Sequence, residues 1–139
     1  MSRYLDRLKG IKVNIRETEL KILDLLWESG PLPANRIYKT LEETIGWKRS
    51  TTYTVLQKCI EKGFIEREDP GFICIPLVER TEVQEAKISD LISGFFNNSK
   101  KVFLNTFLKS ENLTDEEIQE LRALVDNLEQ TENKNNDSR

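Results

Sequence analysis

The order of the periodic segments in the first 78 residues is the feature that most restricts the fold of this chain. Apolar residues recur at helical spacing in three segments, at about 15–28, 33–44 and 49–62. Two runs with β-strand composition follow at 64–67 and 72–75, and the turn signal Pro70-Gly71 lies between them. Three helices followed by a small hairpin are typical of a winged helix-turn-helix domain, which we expect over residues 1–80.

A different pattern begins after Pro76 and indicates a second, helical domain over residues 81–130. Amphipathic segments are predicted at 81–97 and 100–109, and Thr114 with a glutamate three residues later predicts the start of a last helix. Residues 131–139 are polar and are predicted to be a disordered tail. The expected fold class is mainly α with a small β-hairpin, in which a winged helix-turn-helix DNA-binding domain precedes a three-helix dimerisation domain.

The apolar stripes of the second domain need a partner, because about 45 residues in three helices cannot bury them internally. One interpretation packs these helices back on the first domain. The favoured one pairs two copies of the chain, since two-fold homodimers are the commonest oligomers. The predicted interface consists of large apolar side chains, namely Leu91, Phe95, Phe96, Phe103, Phe107, Ile118, Leu121, Leu124 and Leu128.

Residue usage argues against an enzyme and against a bound cofactor or metal. The chain has no histidine, which excludes a Ser-His-Asp triad, a Cys-His nucleophile and imidazole ligands. Its two cysteines, Cys59 and Cys74, do not form a CxxC motif, and we interpret them as reduced, buried residues rather than as a redox pair. No glycine-rich nucleotide-binding motif occurs.

Charge and hydropathy indicate a cytoplasmic protein that is not inserted in a membrane. No apolar run approaches the roughly 18 residues of a bilayer span, and residues 1–9 lack the apolar core of a secretory signal. The net charge of −3 is unevenly distributed. Residues 1–80 hold fourteen Lys and Arg against twelve Asp and Glu, whereas residues 81–139 hold seven against twelve. The first domain is therefore the half that presents a local basic face.

The third predicted helix carries the residues that indicate DNA binding. Small hydroxyl side chains allow a helix to enter the major groove, where they bond to base edges or phosphates. Lys48 and Arg49 at its start are expected to meet the phosphate backbone, and Tyr53 is large enough to reach a thymine methyl group or a phosphate. The predicted DNA-contacting set is Lys48, Arg49, Ser50, Thr51, Tyr53, Thr54, Lys58 and Arg67.

A winged helix that docks on another protein is the alternative function. The same serine- and threonine-rich helix would then be a solvated surface that contacts a protein partner. Ser and Thr are poor helix formers, so their concentration in one turn and a half favours the DNA-binding interpretation. The salt dependence of DNA binding discriminates the two functions.

An ordered set of short segments resembles the penicillinase-repressor family of bacterial transcriptional regulators. The similarity covers most of the chain, from about residue 13 to residue 128. Its pieces are Ile15-Arg16-Glu17-Thr18-Glu19, Leu26-Trp27, Pro33-Ala34-Asn35-Arg36-Ile37, Trp47 before Thr51-Thr52-Tyr53-Thr54, Glu61-Lys62-Gly63-Phe64-Ile65, Pro76-Leu77-Val78 and Leu113-Thr114-Asp115-Glu116-Glu117-Ile118.

The resemblance implies a homodimeric repressor that binds a two-fold symmetric operator in double-stranded DNA. Its targets would be promoters of β-lactamase or penicillin-binding-protein genes. Well-known members carry basic residues at the places of Ser50 and Tyr53, and this departure predicts an altered operator sequence or weaker phosphate anchoring. The copper-responsive branch bears a CxC motif near the C-terminus, whereas both cysteines here precede residue 75, which argues against copper.

The resemblance also implies release by proteolysis after a membrane sensor with a metalloprotease domain is acylated by the antibiotic. The family's scissile bond, between Asn and Phe, falls on Thr106–Phe107 in this chain. Thr replaces the family's Asn there, and Asn105 is adjacent. Apart from cleavage, Phe107 and its apolar neighbours are expected to belong to the dimer core.

Overall fold

Helices and short strands extend over residues 14–137, the part of the chain that the computed structural model describes, with side chains described for residues 14–131. The elements are α1 (Glu17–Ser29), β1 (Leu32–Pro33), α2 (Ala34–Ile45), α3 (Arg49–Glu61), β2 (Ile65–Glu68), β3 (Ile73–Pro76), α4 (Arg80–Phe95), α5 (Lys100–Ser110) and α6 (Asp115–Asp137). The predicted fold class, mainly helical with a small antiparallel sheet, is confirmed. The predictions for residues 1–13 and 138–139 lie outside the described residues.

The first three helices pack around one apolar core. Ile22, Leu23 and Leu26 of α1 are fully buried and belong to the same cluster as Ile37 of α2 and Leu56 of α3. The cause is the helical spacing of these apolar residues, which places them on one face of each helix. The predicted ends of the three helices agree with the structure to within two residues.

The turn between α2 and α3 depends on a glycine. Gly46 follows the last residue of α2 with φ of 72°, in the left-handed region that residues with a Cβ rarely adopt. The Gly46 N–H donates to the Glu42 carbonyl at 3.1 Å and the Trp47 N–H donates to the Leu41 carbonyl at 3.3 Å, and these bonds close the C-terminus of α2. This short turn fixes α3 against α2.

The sheet has the order β1-β3-β2, with every pair antiparallel. The predicted hairpin of β2 and β3 is confirmed, with Pro70-Gly71 in its turn. Strand β1 was not predicted, because two residues are too short to show an alternating pattern. It forms by pairing of Leu32 with Cys74, at the edge of the sheet, where a proline without an N–H is tolerated.

An ion pair between a buried carboxylate and a partly exposed lysine joins the start of α1 to the residue that follows α3. The Glu19 side chain is completely buried, and its Oε1 accepts bonds from the Arg16 N–H and from Lys62 Nζ, each at 2.8 Å. Lys62 Nζ also donates to the Asn14 carbonyl at 2.9 Å. Because a buried carboxylate needs its partners, this pair restricts where the C-terminal end of α3 lies relative to α1.

The start of α4 is held against α1 around Trp27. The indole Nε1 of Trp27 donates to the Val78 carbonyl at 2.8 Å, and the Arg80 guanidinium lies 5.4 Å from the Trp27 ring centroid. Arg80 Nη2 also lies 3.7 Å from Asp24 Oδ1, and Val83 of the first turns of α4 is buried. The first turns of α4 therefore pack with the N-terminal unit.

The chain divides into two compact units, with the division between Leu91 and Ile92. The predicted assignment of residues 1–80 to DNA binding and 81–130 to dimerisation concerns function and stays a prediction. In the second unit, a reciprocal pair of bonds between Thr114 and Glu117 caps α6, as predicted from the sequence. Among the side chains described from residue 92 to residue 131, none is buried.

The last helix is longer than expected. The structure continues α6 to Asp137, so residues 131–137, which the sequence analysis assigned to a disordered tail, are helical. No glycine or proline occurs within residues 115–137, so no strong helix breaker interrupts α6, and a polar sequence is compatible with an exposed helix. None of the helices in the described part of the chain has both the length and the apolar composition of a membrane span.

Candidate nucleic-acid interface

Helix α3 has one buried face and one exposed face. Thr52, Val55, Leu56 and Cys59 are buried in the core of the first unit. Most of the predicted DNA-contacting residues of this helix are exposed on the other side, namely Lys48, Arg49, Ser50, Thr51, Thr54 and Lys58. These exposed residues have the access to solvent that a DNA contact requires, and their assignment to DNA contacts stays a prediction.

The N-terminus of α3 favours an anion. Lys48 occupies the N-cap position, and its side chain is only a donor, so it does not satisfy the N–H groups of the first turn. Arg49 follows directly, and residues 45–60 contain three cations and no acidic residue. Free N–H groups, the positive end of the helix dipole and two adjacent cations together provide a phosphate-binding arrangement.

The hydroxyl side chains near the start of α3 do not all face outward. Thr52 is fully buried, and its Oγ1 donates to the Lys48 carbonyl at 3.3 Å, so this hydroxyl stabilises the helix start. Thr51 and Thr54 are exposed, and Thr54 borders a shallow depression of about 410 Å³ that continues to Lys58 and Glu61. Thr51 and Thr54 therefore have the access that base contacts require.

Tyr53 has a structural environment that its sequence position does not reveal. Its ring is half-buried, 6.0 Å from the ring centroid of Phe72 and at 79° to it, an edge-to-face arrangement. The Arg49 guanidinium lies 5.1 Å from the Tyr53 ring centroid on α3. Tyr53 therefore connects α3 to the turn between β2 and β3, which we call the wing tip (residues 69–72).

The wing tip contains two candidate functional residues that sequence analysis missed, Asp69 and Phe72. The Arg67 guanidinium lies 3.7 Å from the Phe72 ring centroid, and Arg67 Nε donates to Asp69 Oδ2 at 3.0 Å. Asp69 Oδ1 accepts the Phe72 N–H at 3.3 Å. The sequence does not reveal the role of Phe72, because its contact with Tyr53 joins residues that are distant in the sequence.

The two cysteines are buried and reduced in the structure. Burial, with a smaller effect of the nearby Glu19 carboxylate, raises the pKa of the Cys59 thiol to about 12. Burial also raises the pKa of Cys74 to about 11. Both thiols are therefore protonated at neutral pH, the form that is neither a nucleophile nor a metal ligand. The described residues contain no cluster of His, Cys, Asp and Glu that could hold a metal ion.

Large apolar side chains of the predicted interface are accessible on α4, α5 and α6. Five residues of the predicted interface are exposed, with fractions from 36% to 83%, namely Leu91, Phe95, Phe107, Leu124 and Leu128. The other four are half-buried, namely Phe96, Phe103, Ile118 and Leu121. An open cleft of about 570 Å³ lies between α5 and α6 and is lined mainly by leucines. We refer to those of these side chains that belong to the second unit, from residue 92 to residue 128, as the apolar face.

The bond predicted for cleavage lies within α5. Thr106 and Phe107 are both exposed, and α5 contains no buried residue among its described side chains. Few contacts therefore oppose local opening of this helix, a condition for a protease to bind its backbone.

Comparison with known proteins gives a family match over most of the chain. The family model described as "Penicillinase repressor" matches residues 15–127. The penicillinase repressor of Bacillus licheniformis is 26% identical over 114 residues, covering 81% of this chain and 89% of that protein. The methicillin resistance regulatory protein MecI of Staphylococcus aureus (strain N315) is 24% identical over 113 residues, covering 80% of this chain and 92% of that protein.

Two solved structures are also similar to part of the chain. One is a solution structure of the DNA binding domain of the repressor BlaI, with a TM-score of 0.48 and 24% identity. The other is the monomeric form of Bacillus licheniformis BlaI in complex with the blaP half-operator, with a TM-score of 0.45 and 24% identity. Each similarity covers 52% of this chain and 90% of the other.

Proposed function

The chain belongs to the penicillinase repressor family, and from this membership we propose that it is a transcriptional repressor of β-lactam resistance genes. The protein binds a two-fold symmetric DNA operator as a homodimer. Its target promoters are those of β-lactamase or penicillin-binding-protein genes. The curated relatives named above, a penicillinase repressor and a methicillin resistance regulator, support this choice of targets.

The exposed face of α3 is the observation that carries the proposal. It combines an N-terminus suited to phosphate with exposed hydroxyls that fit the major groove, and residues 45–60 place no carboxylate there. Lys48 and Arg49 bind backbone phosphates and set the register of the helix. Thr51 and Thr54 contact base edges and provide sequence discrimination.

Homodimerisation is supported by the apolar face of the second unit. A symmetric pair covers such a surface with an identical one and gives a two-fold axis that matches a palindromic operator. The two α3 helices then lie about one DNA turn apart, roughly 34 Å, which couples binding of the two half-sites. Loss of the pair therefore lowers operator affinity without changing any DNA contact.

Salt dependence of DNA binding tests the proposal directly. We expect Lys48→Ala to weaken binding to operator and to random duplexes equally and to reduce the slope of log affinity against log salt by about one. The physical reason is that a phosphate contact releases counterions but carries no sequence information. Affinity is measured by fluorescence anisotropy over a range of salt concentrations.

Lys21→Ala is the matched control, because it removes the same charge from an exposed position on α1. It should leave the salt slope within error of the wild type. Equal slopes for the Lys48→Ala and Lys21→Ala proteins would contradict a phosphate contact at the start of α3. A wild-type protein that binds DNA without salt dependence would instead favour a protein-docking winged helix.

Release by proteolysis is the proposed off-switch. In cells exposed to a β-lactam, we expect the full-length chain to be converted into fragments 1–106 and 107–139, because cutting Thr106–Phe107 separates α6 from the rest of the apolar face. The interface then loses several large side chains, each worth about 1.5–3 kcal/mol when buried. Mass spectrometry of the protein before and after induction identifies the bond. Derepression with only intact protein present would exclude this mechanism.

A further inference from the structure

The hairpin of β2 and β3, which we call the wing, places Arg67 and its two neighbouring glutamates on different faces. In an antiparallel sheet, directly opposed residues share a face and successive residues alternate between faces. Arg67 lies opposite Cys74, which is buried, so Arg67 belongs to the face that packs toward the helices. Glu66 and Glu68 are its neighbours in β2 and therefore lie on the other face. The only cation of the wing is thus separated from both glutamates of its own strand.

The guanidinium of Arg67 is bound at its Nε, whereas its terminal Nη groups are accessible to solvent. Its plane is supported by the Phe72 ring, 3.7 Å away, and its Nε is occupied by Asp69 at 3.0 Å. The two terminal Nη groups extend from the opposite end of the planar fork. The Arg67 side chain is 46% exposed, so these donors are accessible to an acceptor outside the chain.

The supporting ring is itself fixed to the domain. Phe72 has φ of 49°, a conformation that is rare for a bulky residue and is kept by its surroundings. Its carbonyl accepts the Ala34 N–H at 2.9 Å, and its N–H is bound by Asp69. Its ring contacts Tyr53 of α3. A chain of side-chain contacts therefore runs from Arg49 at the start of α3 through Tyr53 and Phe72 to Arg67.

We propose that Asp69 and Phe72 are positioning residues that fix Arg67 as the phosphate contact of the wing, in register with α3. This inference rests on the proposed function, since it assigns a second contact to the same DNA. Because the Arg67 side chain is already ordered before DNA binds, less conformational entropy is lost on binding. A planar guanidinium also matches the geometry of a phosphate group. The contact between Tyr53 and Phe72 fixes the wing relative to α3, so that the two elements bind the DNA together rather than independently.

A purely electrostatic role of Asp69 predicts the opposite effect of removing it. An exposed ion pair contributes little to stability, and a carboxylate near DNA repels phosphate. On that basis Asp69→Ala should bind DNA more tightly. The positioning role predicts weaker binding, because Arg67 loses the acceptor that holds its Nε. The sign of the change therefore decides between the two roles.

The test compares two charge-removing substitutions on opposite faces of the wing, Asp69→Ala and Glu68→Ala, in the full-length protein. The probe is a duplex of about three helical turns, selected from a random pool by the wild-type protein. Asp69→Ala should weaken binding about fivefold and reduce the salt slope, although it removes a negative charge. Glu68→Ala should tighten binding by up to about twofold. Asp69→Asn keeps one acceptor oxygen, which can still accept the Arg67 Nε–H, and should bind more tightly than Asp69→Ala.

Three further variants make the test specific to Arg67. Arg67→Ala should weaken binding and lower the salt slope by about one, and adding Asp69→Ala to it should cause no further loss. Phe72→Leu keeps apolar bulk without an aromatic face and should resemble Asp69→Ala. The thermal unfolding midpoint of the Asp69→Ala protein shows whether that substitution disturbs the turn. If it does, Phe72→Leu provides the test of the positioning role instead.

Tighter binding by the Asp69→Ala protein, equal to that of Glu68→Ala, would overturn the inference. The inference would also be overturned if Asp69→Ala lowered DNA affinity by the same factor in the wild-type protein and in the Arg67→Ala protein. The Thr51→Ala protein tests the proposed function independently in the same assay, through its preference for the selected sequence over random DNA. If that variant loses discrimination while the wing variants match Glu68→Ala, the positioning role fails and the repressor function stands. If the wild type enriches no sequence from the pool, both proposals fail.

Discussion

A full-length protein carrying Leu124→Glu and Leu128→Glu should be a monomer and should bind a complete operator about a hundredfold more weakly, or worse. The two leucines are 60% and 67% exposed in the single chain, so the substitutions remove little packing within it. In a symmetric dimer they place carboxylates from both chains in an apolar contact, where an unpaired charge is strongly unfavourable. Affinity for a half-operator should not change, because α3 is untouched.

Sedimentation velocity gives the oligomeric state, and anisotropy with full and half-operators gives the coupling between sites. The control is Gln119→Glu with Gln130→Glu, which adds the same charge to α6 on the side away from the two leucines. That protein should remain dimeric. A Leu124→Glu, Leu128→Glu protein that still sediments as a dimer would show that the apolar face of α6 is not the interface.

The second large effect is expected for Thr51→Ala combined with Thr54→Ala. Each substitution should reduce the preference for operator over random DNA by roughly 1–3 kcal/mol, if each hydroxyl or methyl group contacts a base. The effect is expected because these two side chains are exposed on α3 beside Lys48 and Arg49, the residues proposed to bind phosphate. Non-specific affinity and the salt slope should remain near the wild-type values, since no charge is removed.

Competition of a labelled operator with unlabelled random duplex measures this preference. Thr18→Ala, an equivalent change at an exposed position on α1, is the control and should have no effect. Thr52→Ala provides a second comparison, because Thr52 is buried and should alter the unfolding midpoint more than the preference for operator. A uniform loss of affinity for all DNA sequences from the Thr51 and Thr54 substitutions would assign these residues to phosphate contacts.

Most of the first unit is predictable from the sequence because its signals are local. Helical periodicity located α1, α2 and α3, and Pro70-Gly71 between two apolar runs located the hairpin. The exposed face of α3 follows from the same periodicity, since apolar residues at core spacing define the opposite face. The capping bonds between Thr114 and Glu117 also depend only on residues three positions apart.

Features that depend on contacts between distant residues could not be predicted in this way. The two-residue strand β1 exists through its pairing with β3, and the environment of Tyr53 depends on Phe72, which follows it by nineteen positions in the sequence. The sequence analysis located only Pro70-Gly71 in the turn, whereas the structure also pairs the neighbouring Asp69 with Arg67. In α6 the polar composition suggested disorder, but without a helix breaker the helix continues to Asp137.

The absence of any buried side chain among those described from residue 92 to residue 131 has a consequence for gene dosage. With a second copy as the missing partner, ordering of this unit and association become one event governed by mass action. The concentration of dimer then rises with the square of the monomer concentration at low copy number. Operator occupancy would therefore respond steeply to synthesis and dilution of the protein, and a modest fall in copy number during growth would be amplified into expression of the controlled genes.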